Sequence, residues 1–351
     1  MVSKASHESC DAFFSAVVAY TSQAAHETFN ASPRAASNED DMKLPHFPAR
    51  FLALTSACTI VTAFAWSIPA YAADQLLPSA TLRKIAENGA IVLGTRESSV
   101  PFSYQIKQQP AGYSYDIALK VVDDIKRRLN MPNLAVKNVM VTSANRISYV
   151  VNNQVDLECG STAHLSERDP LVAFSNNFFL YGIRMAVKKK SGIRDYDDLA
   201  GKTVVTTAGT SDERLLRQMS LDKKLNLRII SARDHAEAFV ALKSDRAVAF
   251  VMDDPLLYGK IAQEGTASKE YTVTGASLAN ETYGCMMRKG DPAFKRIVDD
   301  VIANMQRSGE AARLYDTWFM QPIPPDGINL QFPMSADMKA LFANPNDRTL
   351  D

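Results

Sequence analysis

A chain of 351 residues is long enough for two domains with sizeable cores. Its 46% apolar and 22% charged residues are those of an ordinary globular protein. A formal charge of zero with no basic block argues against nucleic acid or an anionic membrane surface as the main partner.

The first segment to interpret is not part of a fold. Residues 43–50 are a short basic region, 51–68 are mostly apolar and uncharged, and Ala70-Tyr71-Ala72 supplies the small residues a signal peptidase needs. Residues 42–72 therefore read as a secretory signal cleaved before Ala73, which places the mature chain in the periplasm. A retained anchor would lack a basic stop and would carry Pro69 beside the small-residue site. A lipid on Cys58 would lack the usual leucine ahead of it. Residues 1–41 are polar and rich in Ser, Ala and His, and are expected to be a non-native extension before a true start at Met42. The mature chain then keeps two cysteines, Cys159 and Cys285. In an oxidising compartment they form either a bridge or two separate buried thiols.

Further on, Leu82 to Glu87 reads as a helix and Ala90 to Gly94 as a buried strand. Val100 to Tyr104 is expected to continue extended, because the residue before proline avoids helix. The stretch after Gly112 places Ile117, Val121, Ile125 and Leu129 on one helical face. A strand at Leu134 to Val141, a helix from Ala144 and a strand at Gln154 to Glu158 complete a β-α-β-α-β order, which favours a mostly parallel sheet. Beyond Phe174 a long extended run, Phe178 to Val187, leads into a second unit. Its strands are expected at 203–207, 227–230 and 247–252, and its helices at 212–219 and 235–243. A second extended run, 283–288, precedes an amphipathic helix at 293–306. Two extended runs bracketing the second unit predict an α/β protein of two lobes joined by a double-strand hinge. The first lobe comprises 73–183 and 285–351, and the second 184–284.

The strands end in similar clusters: Gly160-Ser161-Thr162 after Glu158, Thr142-Ser143 after Val141, and Gly209-Thr210-Ser211 after Thr207. Free backbone N–H groups and hydroxyls at such junctions form an anion site, which an arginine can close as a charge-assisted fork. Arg96, Arg146 and Arg168 lie at strand ends or the turns after them. With one acid, Asp253, they suit a ligand of two negative charges and one positive, an α-amino dicarboxylate.

The residues also match a family. Residues 94–104, Phe174-Ser175, Asp198-Leu199-Ala200-Gly201-Lys202, Arg228 to Ala232, Arg246 to Phe250, Tyr283 to Met286 and Ser308 to Ala311 resemble the periplasmic solute-binding proteins (family 3) of amino-acid ABC transporters. Among these the likeness is to members taking glutamate and aspartate, from about Thr81 to Leu350. The resemblance implies lobes that close on L-glutamate or L-aspartate and dock on a membrane permease, with no cofactor or metal and no catalysis. A monomer is expected. Carried over residue by residue, the ligand set is Arg96, Ser143, Arg146, Ser161, Thr162, Arg168, Thr210, Ser211, His235 and Asp253. Arg168 would take the α-carboxylate, Asp253 the α-ammonium, and Arg96, Arg146 and His235 the side-chain carboxylate. Ala163 departs from the family, where a second threonine follows Ser161-Thr162.

A rival is an enzyme on the same fold, a cyclohexadienyl (prephenate or arogenate) dehydratase. It would need a general acid, for which Glu158 and Glu97 are the candidates. A receptor sensing domain is disfavoured, because neither a membrane span nor a signalling domain follows Leu350.

Overall fold

The computed structural model describes residues 78–351. The extension and signal segment expected at 1–41 and 42–72 lie outside the described residues.

The first helix, α1 (Ala80–Asn88), starts where the Ser79 hydroxyl accepts the Leu82 amide proton, and it buries Leu82 and Ile85 on one face. It leads into β1 (Ala90–Thr95). A three-stranded ribbon follows: β2 (Ser98–Ser99), β3 (Ser103–Ile106) and β4 (Gln109–Ala111). Of the expected extended stretch Val100 to Tyr104, only Ser103 and Tyr104 are strand. Phe102 N donates to Ser99 O at 2.7 Å, so Val100-Pro101-Phe102 is the turn that reverses the chain from β2 into β3. The next helix, α2 (Tyr113–Leu129), buries Tyr113, Ile117, Val121 and Ile125 at helical spacing. Its Asp116 lies in the first turn and Lys126, Arg127 and Arg128 in the last, matching the helix dipole.

The first sheet is built on β1. It pairs in parallel with β5 (Ala135–Met140) on one side and with β6 (Leu157–Glu158) on the other. Between these strands lies the short α3 (Arg146–Val151). Only Leu157 and Glu158 of the expected 154–158 strand are strand, because the chain before them is still leaving α3: Gln154 and Val155 both donate to Tyr149 O.

The long extended run is one strand, β7 (Val172–Lys188), and it belongs to both sheets. Residues 172–182 pair with β12 (Asn280–Arg288), which in turn pairs with β6. Residues 183–188 pair with β10 (Ala249–Asp253) on one side and β11 (Tyr271–Thr274) on the other. The second sheet continues through β8 (Thr203–Thr207) to β9 (Arg228–Ala232), parallel to each other and to β10. The returning crossing runs beside the first: Leu278 N donates to Ile183 O, and Ile183 N to Ala279 O. The expected divide at 284/285 falls inside β12, whose pairing with β7 begins at Asn280.

Helices α4 (Ser211–Asp222), α5 (His235–Lys243) and α6 (Asp254–Ala262) cover the second sheet. The chain then returns to the first sheet with α7 (Pro292–Arg307), α8 (Glu310–Phe319) and α9 (Ala336–Ala343). An aromatic cluster fixes that return. Phe179 of β7 stacks on Phe319 at 5.0 Å and on Tyr315 at 5.7 Å, and Phe102 meets Phe179 edge-on at 4.8 Å. Burying such rings contributes roughly 2–3 kcal/mol each.

Candidate functional site

The ends of β1, β6, β8 and β10 face one another, so the polar residues that follow each strand meet in one buried cleft. On the first-lobe side Arg96 follows β1. Its backbone N–H donates to Ser103 Oγ at 3.0 Å, which fixes the turn, and its Nη2 donates to Ser143 Oγ at 2.8 Å. Nη1 lies 3.5 Å from Ser161 Oγ, which itself contacts Ser99 Oγ at 3.2 Å. Arg146 opens α3 and donates from Nη1 to Ser161 O at 2.7 Å and to Thr162 Oγ1 at 2.6 Å. Thr162 Oγ1 then donates to Glu158 Oε2 at 2.6 Å. Arg168 closes on its own loop, donating from Nη1 to Ala163 O at 2.8 Å.

All three guanidiniums are buried. Burial pulls Arg146 down to about 10, helped by the neighbouring positive charge of Arg96, and Arg168 likewise, helped by Arg146. Arg96 is lowered chiefly by burial, against the opposing pull of Glu158. Three desolvated guanidiniums make this side of the cleft positively charged.

The second-lobe side is acidic at its floor. Asp253 ends β10. It occupies the N-cap position of α6, yet its carboxylate caps nothing there; it accepts from the Tyr283 hydroxyl instead. Asp212, in the first turn of α4, contacts the Asp253 carboxyl. Oδ1 of each acid lacks any other donor among the described residues. Burial and Glu281 push Asp212 up to about 7, and burial and Asp212 push Asp253 well above the usual carboxylate range. Glu281 Oε2 accepts from Tyr181 Oη at 2.6 Å and from Ser211 Oγ at 2.7 Å. Thr210 caps α4, accepting the Glu213 amide proton at 3.3 Å and donating to Thr207 O at 2.8 Å. His235 Nδ1 shares a 2.8 Å hydrogen bond with Thr207 Oγ1, while its buried Nε2 meets no partner among the described residues. Burial, then Arg96, Lys260 and Arg146, hold the ring well below its ordinary value, so it is neutral at neutral pH.

The two sides are shut against each other. A Cβ on Gly209, whose φ is 76°, would lie 2.6 Å from Ala144 Cα; one on Gly259 would lie 2.3 Å from Val100 O. Glu97 pairs with Arg233 at 3.5 Å and Glu167 with Arg214 at 3.6 Å across the same gap.

The ten residues expected from sequence are all buried, and Thr210 is held in a helix cap and Ser211 tied to Glu281. Sequence reasoning missed Asp212, Glu281, Tyr181 and Tyr283. Tyr283 stood inside a family motif, and only its hydrogen bond to Asp253 reveals its part. The two cysteines left open by the sequence form a disulfide, Cys159–Cys285, with Cα atoms 4.3 Å apart. They extend the antiparallel register of Glu158 opposite Met286 by one residue.

Residues 91–321 match the family described as bacterial extracellular solute-binding proteins, family 3. The chain belongs to that family. It is 50% identical over 295 residues, 84% of this chain and 96% of the relative, to an L-glutamate/L-aspartate-binding protein of Pseudomonas aeruginosa. It is 46% identical over 301 residues, 85% and 99% of the two chains, to a glutamate/aspartate import solute-binding protein of Escherichia coli. Among solved structures, an ancestral amino acid-binding protein described as a precursor of cyclohexadienyl dehydratase matches with a TM-score of 0.58 and 26% identity, covering 68% of this chain and 99% of its own. These family 3 relatives named for glutamate and aspartate are transport binding proteins, not enzymes. Of the two acids considered for the rival chemistry, Glu97 pairs with Arg233 at 3.5 Å, and Glu158 is fully buried with Oε2 accepting from Thr162.

Proposed function

We propose that this chain is the substrate-binding component of an ABC importer, capturing L-glutamate or L-aspartate between its lobes and delivering it to a membrane permease. The observation that carries this reading is the convergence of Arg96, Arg146 and Arg168, all buried, opposite the Asp253 floor. A dicarboxylate supplies the anions these guanidiniums lack, and its ammonium supplies the cation the acids lack. Arg168 takes the α-carboxylate, the role the family resemblance gives it; its Nη1 is steadied by Ala163 O. Arg96 and Arg146 take the side-chain carboxylate, with neutral His235 offering Nε2. Asp253 takes the ammonium. Ser143, Ser161, Thr162, Thr210 and Ser211 complete the wall.

In this reading, residues 73–183 with 285–351 and residues 184–284 move as two bodies about β7. The monomeric protein works in the periplasm after cleavage before Ala73, which N-terminal sequencing of exported material tests. Calorimetric titration with the twenty amino acids tests the function. Glutamate and aspartate should bind with micromolar or tighter constants, about −8 kcal/mol or better, and the unaltered amino acid should be recovered afterwards. Preference for a neutral or basic amino acid, or turnover of prephenate or arogenate, would overturn it.

A further inference from the structure

The turn that carries Arg168 is held from outside the cleft. On one side β12 supports it: His164 N donates to Thr282 O at 2.8 Å, and Ala163 bridges to Tyr283. On the other side the support comes from the last residues of the chain. Buried Asn177 of β7 donates its backbone N–H to Asn346 O at 2.8 Å and its Nδ2 to Arg348 O at 2.7 Å. The bond to Arg348 O fixes its amide, so Oδ1 is the acceptor turned to His164 Nδ1 at 3.2 Å. His164, buried and stacked on Phe174 at 4.4 Å, faces Asp169 with its other nitrogen at 3.1 Å. It therefore ties the residues on both flanks of Arg168. The Asp351 carboxylate accepts from Ser166 Oγ at 2.9 Å and from Ser166 N at 3.2 Å, at the head of the 166–168 helical turn. Asp347 pins the segment to α7 through Lys295 at 3.0 Å.

We infer that the segment 346–351 is a positioning element of the ligand site, holding the Arg168 turn through Asn177, His164 and Ser166. A guanidinium that must meet a carboxylate as a planar fork tolerates little misplacement. A tail that ties both flanks of its turn therefore sets affinity without touching ligand. This rests on reading Arg168 as the ligand anchor.

The test compares the full chain with a version ending at Pro345 and with Asp351→Ala, each with Arg168 and with Arg168→Lys. Hydrogen exchange and glutamate and aspartate affinities are measured on all. Loss of the tail should speed exchange at 163–168 and raise both dissociation constants about tenfold, the effect of leaving buried donors unmet. Asp351→Ala should do the same to a smaller degree, and serves if the shorter chain does not fold. In the Arg168→Lys background the further loss of affinity should vanish, which general destabilisation would not produce. Unchanged exchange at 163–168, or an equal loss of affinity in both backgrounds, overturns the inference. If the unaltered chain binds neither amino acid, the functional reading has failed, and exchange at 163–168 alone decides the role of the tail.

Discussion

Arg146 Nη1 holds Thr162 Oγ1 at 2.6 Å and the preceding carbonyl, Ser161 O, at 2.7 Å, so one guanidinium nitrogen shapes the turn and charges the pocket. Its Nε meets no partner among the described residues.

That unmet donor and its charge make Arg146 the test of selectivity. Glutamine would leave buried guanidiniums without a counter-charge and turn an NH₂ toward donors that offer no acceptor. Arg146→Met should weaken glutamate far more than glutamine and narrow the ratio between them. The expected loss for glutamate is about 3–5 kcal/mol, the cost of breaking a buried charge pair. Calorimetry with both ligands measures it; an unchanged ratio would place selectivity elsewhere.

Arg168→Ala should act differently, because the α-carboxylate is common to every amino acid. Binding of glutamate, aspartate and glutamine should all fall below detection, by about 3–5 kcal/mol each. Near-normal glutamate affinity in a folded variant would show that another group is the anchor.

How far the sequence revealed this site depends on what each residue touches. Arg96, Ser143, Arg146 and Ser161 follow strands, and the strand-to-turn grammar groups them from sequence alone. The long reach of β7 is only half visible, because Asn176 and Asn177 interrupt the apolar run, Asn176 donating to Asp299 of α7 and Asn177 to Asn346 and Arg348. Helix α6 was not foreseen. The residues after Asp253-Asp254-Pro255 are nearly all apolar and show no clear face. Asp212 and Glu281 were invisible for a different reason. Each looks like a surface acid in its own segment, and burial comes only when the lobes and sheets assemble around them.

The buried pair Asp212–Asp253 predicts a pH dependence. Asp212 rises to about 7 in the folded protein from an ordinary value of 3.8, because of burial and then Glu281. Between those values the folded state holds a proton that the unfolded chain has released, so this pair's contribution to stability falls as pH rises from about 4 to about 7. The other groups facing the pair are Tyr181, Tyr283 and the Arg96 guanidinium. An ammonium bound there favours the ionised form, so glutamate binding should release a proton and strengthen over the same window. Thermal midpoints against pH should show a shallower fall in Asp212→Asn than in the unaltered ligand-free protein. Identical slopes would remove this pair as the source.

The Cys159–Cys285 bridge joins positions 126 residues apart, across β6 and β12 of the first sheet. Closing so long a loop stabilises by about 4–5 kcal/mol as an upper figure. Denatured, unreduced exported protein should show no free thiol, and reduction should lower the thermal midpoint. Two free thiols in exported protein would refute the bridge.

Gly259 offers a test of closure itself. It lies in α6 of the second lobe, where a Cβ would stand 2.3 Å from the carbonyl oxygen of Val100 and 3.0 Å from its carbonyl carbon in the first lobe. The obstacle is backbone, in a turn fixed by the Phe102-to-Ser99 hydrogen bond, and it cannot swing aside as a side-chain tip would. Alanine is the better helix former by about 1 kcal/mol, so Gly259→Ala should leave the ligand-free protein as stable as before or more so. In the closed state the same methyl group is a wedge. Every ligand should therefore weaken together, by about tenfold or more if the overlap costs what overpacking a core does, about 1–3 kcal/mol. The ratio of glutamate to glutamine should stay fixed, because no ligand-facing group has changed. Melting curves and titrations on one variant separate the two effects. Lost affinity with an unchanged or raised midpoint marks a block to closure, whereas full affinity would mean that the lobes do not need this approach to hold their ligand.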